Sequence, residues 1–391
     1  MLLDTGAANT WLMGSDCPSK ACLMHNTFDP STSKTWKSDK HEFSILYGTG
    51  HLTGYVGQDT ASFAGLTLDL SFGLANYTHD DFRHFAFDGI LGLATGTSST
   101  GVFLQNLRNA KLLDSLVFGI SLNRDSDGVN DGQVTFGGVD KTKFTGDISY
   151  TSVPPDQTAK GVWAIPMDGL SINSKPAGIT PQLAYIDTGT SFIFAPPKDL
   201  EAVFKLVPGA SAYDSGGGYV AYQVPCDTKT SIDVSFSGVT YSIPAQDWVA
   251  RNNETSCVSR VYGYSVNNNT WLLGDAFLKN VYSVFDADKM RIGFAAKPPP
   301  PPKPTSTTGS AAASGTAGAG TVTSLAGDGG AHPVMPGFSS QETGQAGAAK
   351  QTATGQAPAA QTQVAGGSVV GSGGKMGLAV GAVGVVVALL G

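Results

Sequence analysis

No run of basic residues occurs in this 391-residue chain, and charge of either sign is scarce: 14% of positions are Asp, Glu, Lys or Arg, for a net charge of −7. A nucleic-acid partner is therefore not expected. After Pro298 only Lys303, Asp328, Glu342, Lys350 and Lys375 are charged, so residues 1–297 are acidic and the tail is nearly neutral. Cysteine is scarce too. Cys17, Cys22, Cys226 and Cys257 allow three pairings, and their spacings suggest one local pair at each end. The Cys17–Cys22 step is too wide for a CxxC redox or zinc pair, and no His pair accompanies it, so no metal or cofactor is expected. Missing as well is a secretion signal, because Met1-Leu2-Leu3 runs straight into Asp4 with no basic or long apolar stretch. Yet the sequons at Asn76, Asn253 and Asn268, together with paired cysteines, point to a secretory, extracellular chain. The two observations combine into the expectation that the beginning of the chain is missing.

Residues 1–297 read as all-β with a few short helices. Segments 43–57 and 234–244 alternate apolar and polar residues around glycine turns, as hairpins do. Helical spacing is confined to stretches such as 103–114 and 197–206, the second opening with Pro and Asp. From Pro298 a polyproline start gives way to Ser, Thr, Ala, Gly and Gln without periodicity, a disordered stalk over 298–365. The apolar segment 376–390 spans only about 22 Å as a helix, short of a bilayer core, and no charged stop follows it. Small residues precede it. Segment 366–391 therefore has the layout of a GPI-attachment signal, with Gly366, Gly367 and Ser368 as candidate attachment sites. A lipid anchor to the cell surface, plasma membrane or wall, follows from that reading.

An internal repeat organises the globular part. "LLDTGAANTW" opens one half and "YIDTGTSFIF" the other. Each is followed, 88 and 87 positions after its Asp, by the glycine of an apolar-apolar-Gly unit: Ile90-Leu91-Gly92 and Leu272-Leu273-Gly274. Two homologous lobes, 1–155 and 156–297, account for this. A lone Asp-Thr-Gly is an ordinary turn. Two, related by a pseudo-two-fold axis, bring Asp4 and Asp187 face to face. Adjacent carboxylates cannot both ionise readily, so they share a proton and titrate as a unit. Such a pair can activate a water with its ionised member and protonate a carbonyl oxygen with the other. Gly6 and Gly189 let backbone donors approach, and the Thr5 and Thr188 hydroxyls can cross-link the two loops.

With these motifs, residues 4–297 resemble the pepsin-like aspartic peptidases. The match includes "LDTGAANTW", "YGTG" (47–50), "FDGILGLA" (87–94), "IDTGTS" and "LLGDAFL" (272–278). The tail resembles those of fungal GPI-anchored, yapsin-like members. The resemblance implies a bilobal all-β fold and a monomeric endopeptidase that acts on polypeptide substrates at acid pH and favours apolar residues around the cut. It supports the pairs Cys17–Cys22 and Cys226–Cys257. It places Tyr47, Gly48 and Thr49 on a flap over the cleft, with Trp11 bonding the Tyr47 hydroxyl, and makes Thr190 part of the second catalytic loop. Phe82 and Phe87 are candidates for an apolar subsite, or for core.

Two departures stand out. The family often has Ser directly after the first Asp-Thr-Gly, bonding the carboxylate, whereas this chain has Ala7 opposite Thr190 in the repeat. Loss of a bond to the charged form raises the proton affinity of the pair. Family members also carry strands before the first Asp-Thr-Gly. The alternatives to an active enzyme are therefore a non-catalytic surface glycoprotein of the same fold, or a fragment inactive through loss of those strands.

Overall fold

The computed structural model describes residues 1–299, except 39, 49, 125–126, 128–131, 215–217, 253–255, 265 and 267–268, and the backbone of 385–389. Thr49, Asn253, Asn268, Gly366, Gly367, Ser368 and nearly all of the stalk lie outside the described residues.

The fold is mostly β with short helices, as the alternating patterns predict. In the first half, Leu2–Asp4 runs parallel to Gly89–Gly92, which in turn lies antiparallel to Trp11–Met13. In the second half, Gln182–Ile186 runs parallel to Trp271–Leu273, which lies antiparallel to Ile193–Ala195. Each Asp-Thr-Gly therefore leaves a strand whose parallel neighbour is the apolar-apolar-Gly unit. That pairing is why the two long offsets match. The inserted strands are buried along their whole length, so they read as continuous apolar runs. Their glycines are steric necessities. A Cβ at Gly92 would lie 2.5 Å from the Ala8 carbonyl carbon, and one at Gly274 would lie 2.0 Å from the Thr190 oxygen.

A third sheet takes strands from both halves. Its order is Val385–Leu389, Gly132–Phe136, Val117–Ser121, Val281–Asp286, Arg291–Ala296, Thr145–Ser152. Residues 155–160, where the two repeats divide, form the short helix Pro155–Lys160. Phe118 and Phe285 stack across the third sheet at 4.9 Å, with Trp163 edge-on to Phe285 at 5.3 Å. Trp163 also donates its indole N–H to Leu93 O at 2.9 Å, immediately beyond Gly92. The segment entering the second half is thereby fixed to the strand pair that carries Asp4.

The predicted hairpins are present. Glu42–Tyr47 pairs with Gly50–Phe63, and Ile232–Phe236 pairs with Val239–Ile243. Ser237 and Gly238, at φ 49° and 80°, make a two-residue turn matching strand twist. The helix predicted within 103–114 ends sooner, at Ala110, because Lys111 turns left-handed at φ 52°. Both local disulfides, Cys17–Cys22 and Cys226–Cys257, are formed.

Phe285 is fully buried between the halves. Phe285→Ala is expected to lower unfolding stability by about 3–5 kcal/mol, measured by urea titration. A loss below about 1 kcal/mol would show that the shared sheet does not depend on this stack.

Candidate active site

Asp4 and Asp187 are 0% and 1% exposed. Each ends a strand and begins a tight loop. Gly6 N and Ala7 N donate to Asp4 Oδ1 at 2.8 and 3.1 Å. Gly189 N donates to Asp187 Oδ1 at 2.8 Å, and the Thr190 hydroxyl donates to Oδ2 at 2.7 Å. The loops interlock. Thr5 N donates to Thr188 Oγ1 at 3.1 Å, and Thr188 N donates to Thr5 Oγ1 at 3.0 Å. Each hydroxyl then donates onward, Thr5 to Ile186 O at 2.8 Å and Thr188 to Leu3 O at 2.7 Å. Both threonines thus act as donor and acceptor to the opposite loop.

Glycine is required on either side of this axis. A Cβ on Gly6 would lie 2.6 Å from the Asp187 carboxyl carbon, and one on Gly189 would lie 2.4 Å from that of Asp4. The absence of both side chains lets the carboxyls face one another. Burial raises the proton affinity of both acids. Asp4 is pushed up further because it also faces the Asp187 charge. Its Oδ2 is buried with no donor among the described residues. Asp187 keeps the extra hydroxyl of Thr190, which favours its charged form. The two acids titrate together as one unit that shares a proton.

Tyr47 and Trp11 meet as the motifs imply, with Trp11 Nε1 donating to Tyr47 Oη at 2.9 Å. Burial first, and the Asp4 charge second, push the Tyr47 phenol up, so it stays protonated. Gly48 is exposed at the hairpin turn. Phe82 packs edge-on against Trp11 at 5.6 Å and against Tyr47 at 6.1 Å, and Phe87 approaches Trp11 at 6.5 Å. Phe85 stacks on Phe87 at 5.2 Å and completes an aromatic cluster that the sequence reading took only in part.

One charged residue escaped the sequence reading. Asp275 follows Gly274 and is half-buried, with its Oδ1 shielded from solvent; its carboxyl is pushed up to about 7, mainly by burial, with Lys279 opposing and the Asp187 charge adding. Its Oδ1 finds no donor among the described residues, while its backbone N–H donates to Thr190 O at 2.8 Å. The available signal was an acid inside the apolar run Trp271–Leu278. Among the described residues no cluster of His, Cys, Asp or Glu could hold a metal ion.

Two strand-borne Asp-Thr-Gly loops, interlocked at a pseudo-two-fold axis beneath a tyrosine-bearing hairpin, define the pepsin-like class of β protein. Comparison with known sequences places the chain within that class. The family described as eukaryotic aspartyl protease matches residues 1–297, and the chain belongs to it. It is 44% identical over 302 residues to the probable aspartic-type endopeptidase CTSD of Arthroderma benhamiae, covering 76% of this chain and 58% of that one. It is 42% identical over 299 residues to the aspartic-type endopeptidase ctsD of Aspergillus fumigatus, covering 75% and 62%. It is 35% identical over 306 residues to the embryonic pepsinogen of Gallus gallus, covering 75% and 76%. The chain thus spans about three fifths of the length of the two fungal relatives.

Ala7→Ser adds a donor to the Asp4 carboxylate, which stabilises its charged form. The acid limb of peptide hydrolysis is expected to move down by about one pH unit, read from the pH profile of kcat/KM. An unmoved limb refutes the role given to Ala7. Asp275 bears on stability. Its proton affinity is higher folded than unfolded, so stability is greatest below its unfolded pKa and falls as pH rises toward about 7. Asp275→Asn is expected to flatten part of that fall, by at most about 4 kcal/mol, in unfolding free energy measured by urea titration from pH 4 to 8.

Proposed function

We propose that this chain is an aspartic endopeptidase in which Asp4 and Asp187 activate one water between them. The observation that carries the reading is the interlocked pair of loops presenting two buried, facing carboxyls with unequal donor sets. Asp187, favoured as the anion by Thr190, takes a proton as the water oxygen attacks the peptide carbonyl carbon. Asp4, favoured as the acid, donates its proton to the carbonyl oxygen. Collapse of the diol breaks the C–N bond: Asp4 takes a hydroxyl proton as the carbonyl re-forms, and Asp187 gives its proton to the leaving nitrogen, which restores the pair. The reaction needs one proton on two carboxyls, so activity falls when both are ionised, which gives an acid optimum.

Tyr47 and its hairpin close over an extended substrate, which adds as a strand and is sequestered from water. Trp11, Phe82, Phe85 and Phe87 are buried together and form the core that seats Tyr47, so their part in this reading is to hold the hairpin in place. Single-chain supply of both aspartates removes any need for a second copy, so the enzyme acts as a monomer. The disulfides and sequons favour a secretory route, and the composition of 366–391 favours a lipid anchor at Gly366, Gly367 or Ser368 on the cell surface. On this reading 298–365 is the stalk that holds the two lobes off the membrane.

The test is hydrolysis of an unfolded protein at acid pH, with and without a statine-type inhibitor. Cleavage should be blocked by the inhibitor and reduced roughly 10²–10⁴-fold by Asp187→Asn. A chain that melts at the same temperature with and without inhibitor, and does not cleave, supports the non-catalytic glycoprotein instead.

A further inference from the structure

Of the three sequons, Asn76-Tyr77-Thr78 lies wholly among the described residues. It ends the strand Leu66–Thr78, which pairs with the outer arm of the flap hairpin, Gly50–Phe63. Pairing steps from Leu52 opposite Thr78 and Thr53 opposite Tyr77 to Gly54 opposite Ala75, which makes Asn76 the extra residue of a β-bulge. The bulge has a matching seat. A Cβ on Gly54 would lie 2.0 Å from Leu74 O and 2.8 Å from Ala75 Cα, so glycine alone allows the strands this approach. In a regular strand Asn76 and Tyr77 would point to opposite faces. With the bulge both are exposed, while Thr78 is buried with its hydroxyl 3.4 Å from Cys22 Sγ.

Leu46 and His51 are cross-strand neighbours on the flap, and both are exposed. The His51 ring lies 5.2 Å from the Tyr77 ring. Leu46, at 56% exposure, His51 and Tyr77, at 40%, therefore form a continuous apolar and aromatic strip on the outer face of the flap. Tyr47, one residue on from Leu46, points the other way, toward Trp11.

We propose that Asn76 carries an N-linked glycan whose first sugar packs on Tyr77 and covers this strip. The inference rests on the secretory reading above and is independent of catalysis. Asn76 Nδ2 loses a proton and bonds to C1 of an N-acetylglucosamine. The donor is a lipid-diphosphate-linked oligosaccharide of the secretory pathway, whose C1–O phosphate bond breaks with the lipid diphosphate as leaving group. The bulge supplies an exposed amide beside an exposed ring, and a sugar's C–H face stacks on such a ring. The inner face of the flap stays free.

The test directs the full chain into the secretory pathway of a yeast host. Glycan is then released by peptide N-glycosidase in heavy-oxygen water, and peptides are mapped. Asn76 should appear as labelled Asp, and Asn76→Gln should lose one glycan mass with its rate on a short peptide unchanged. Tyr77→Ala, which keeps the sequon, should lower the melting temperature of the glycosylated protein more than that of the Asn76→Gln protein. An unmodified Asn76 in protein whose Cys17–Cys22 disulfide is formed overturns the glycan. Equal effects of Tyr77→Ala in the two backgrounds overturn the packing. Absence of both disulfide and glycan overturns the secretory reading along with the proposal.

Discussion

Two carboxyls buried face to face are the constraint that shapes the rest of this protein. Burying one acid is costly, and burying two in contact is costlier still. The cost is tolerated because the loops that carry them are over-determined. Thr5 and Thr188 each donate to and accept from the opposite loop, so neither loop can shift without breaking bonds at both. Gly6 and Gly189 carry no side chain where a Cβ would meet the opposite carboxyl. The strands behind the loops are held in turn by Gly89–Gly92 and Trp271–Leu273, and Gly92 and Gly274 at their ends permit close backbone contact that a Cβ would block.

The symmetry of this framework makes its asymmetries informative. Asp187 has a hydroxyl donor and Asp4 has a methyl at the matching position, so a single substitution within the repeat separates the two acids. Asp275 lies on one side only. Its buried carboxyl responds to the Asp187 charge, and its backbone holds the carbonyl of Thr190, the residue that donates to Asp187. The second half thus carries more of the electrostatic tuning. The first half carries the flap, with Tyr47 anchored on Trp11 inside an aromatic cluster.

Much of this was legible in the sequence because it is local or repeated. Asp4-Thr5-Gly6 and Asp187-Thr188-Gly189 are contiguous, and the matched spacing to Gly92 and Gly274 already implied two copies of one strand arrangement. The 232–243 hairpin showed itself by alternation and a glycine turn. Asp275 did not stand out, because an acid beside a glycine reads as a surface turn unless the burial of its neighbours is known. Phe85 was hidden for a similar reason: one more aromatic near Phe82 and Phe87 carries no directional signal. The early end of the helix at Ala110 depends on Lys111 adopting a left-handed backbone, which side-chain periodicity does not register.

By itself, the sequence determined the fold class, the repeat, the identity of the two paired acids and the local cysteine pairs, because each is written in short motifs or in fixed intervals between them. Only the tertiary structure decided how the halves share a sheet through Phe118 and Phe285, which hydroxyl serves which carboxylate, and that Asn76 stands out on a bulge beside Tyr77. Those facts depend on residues as much as 185 positions apart meeting at distances near 3 Å. Contacts of that kind are fixed by the packing of the whole chain and leave no local pattern to read.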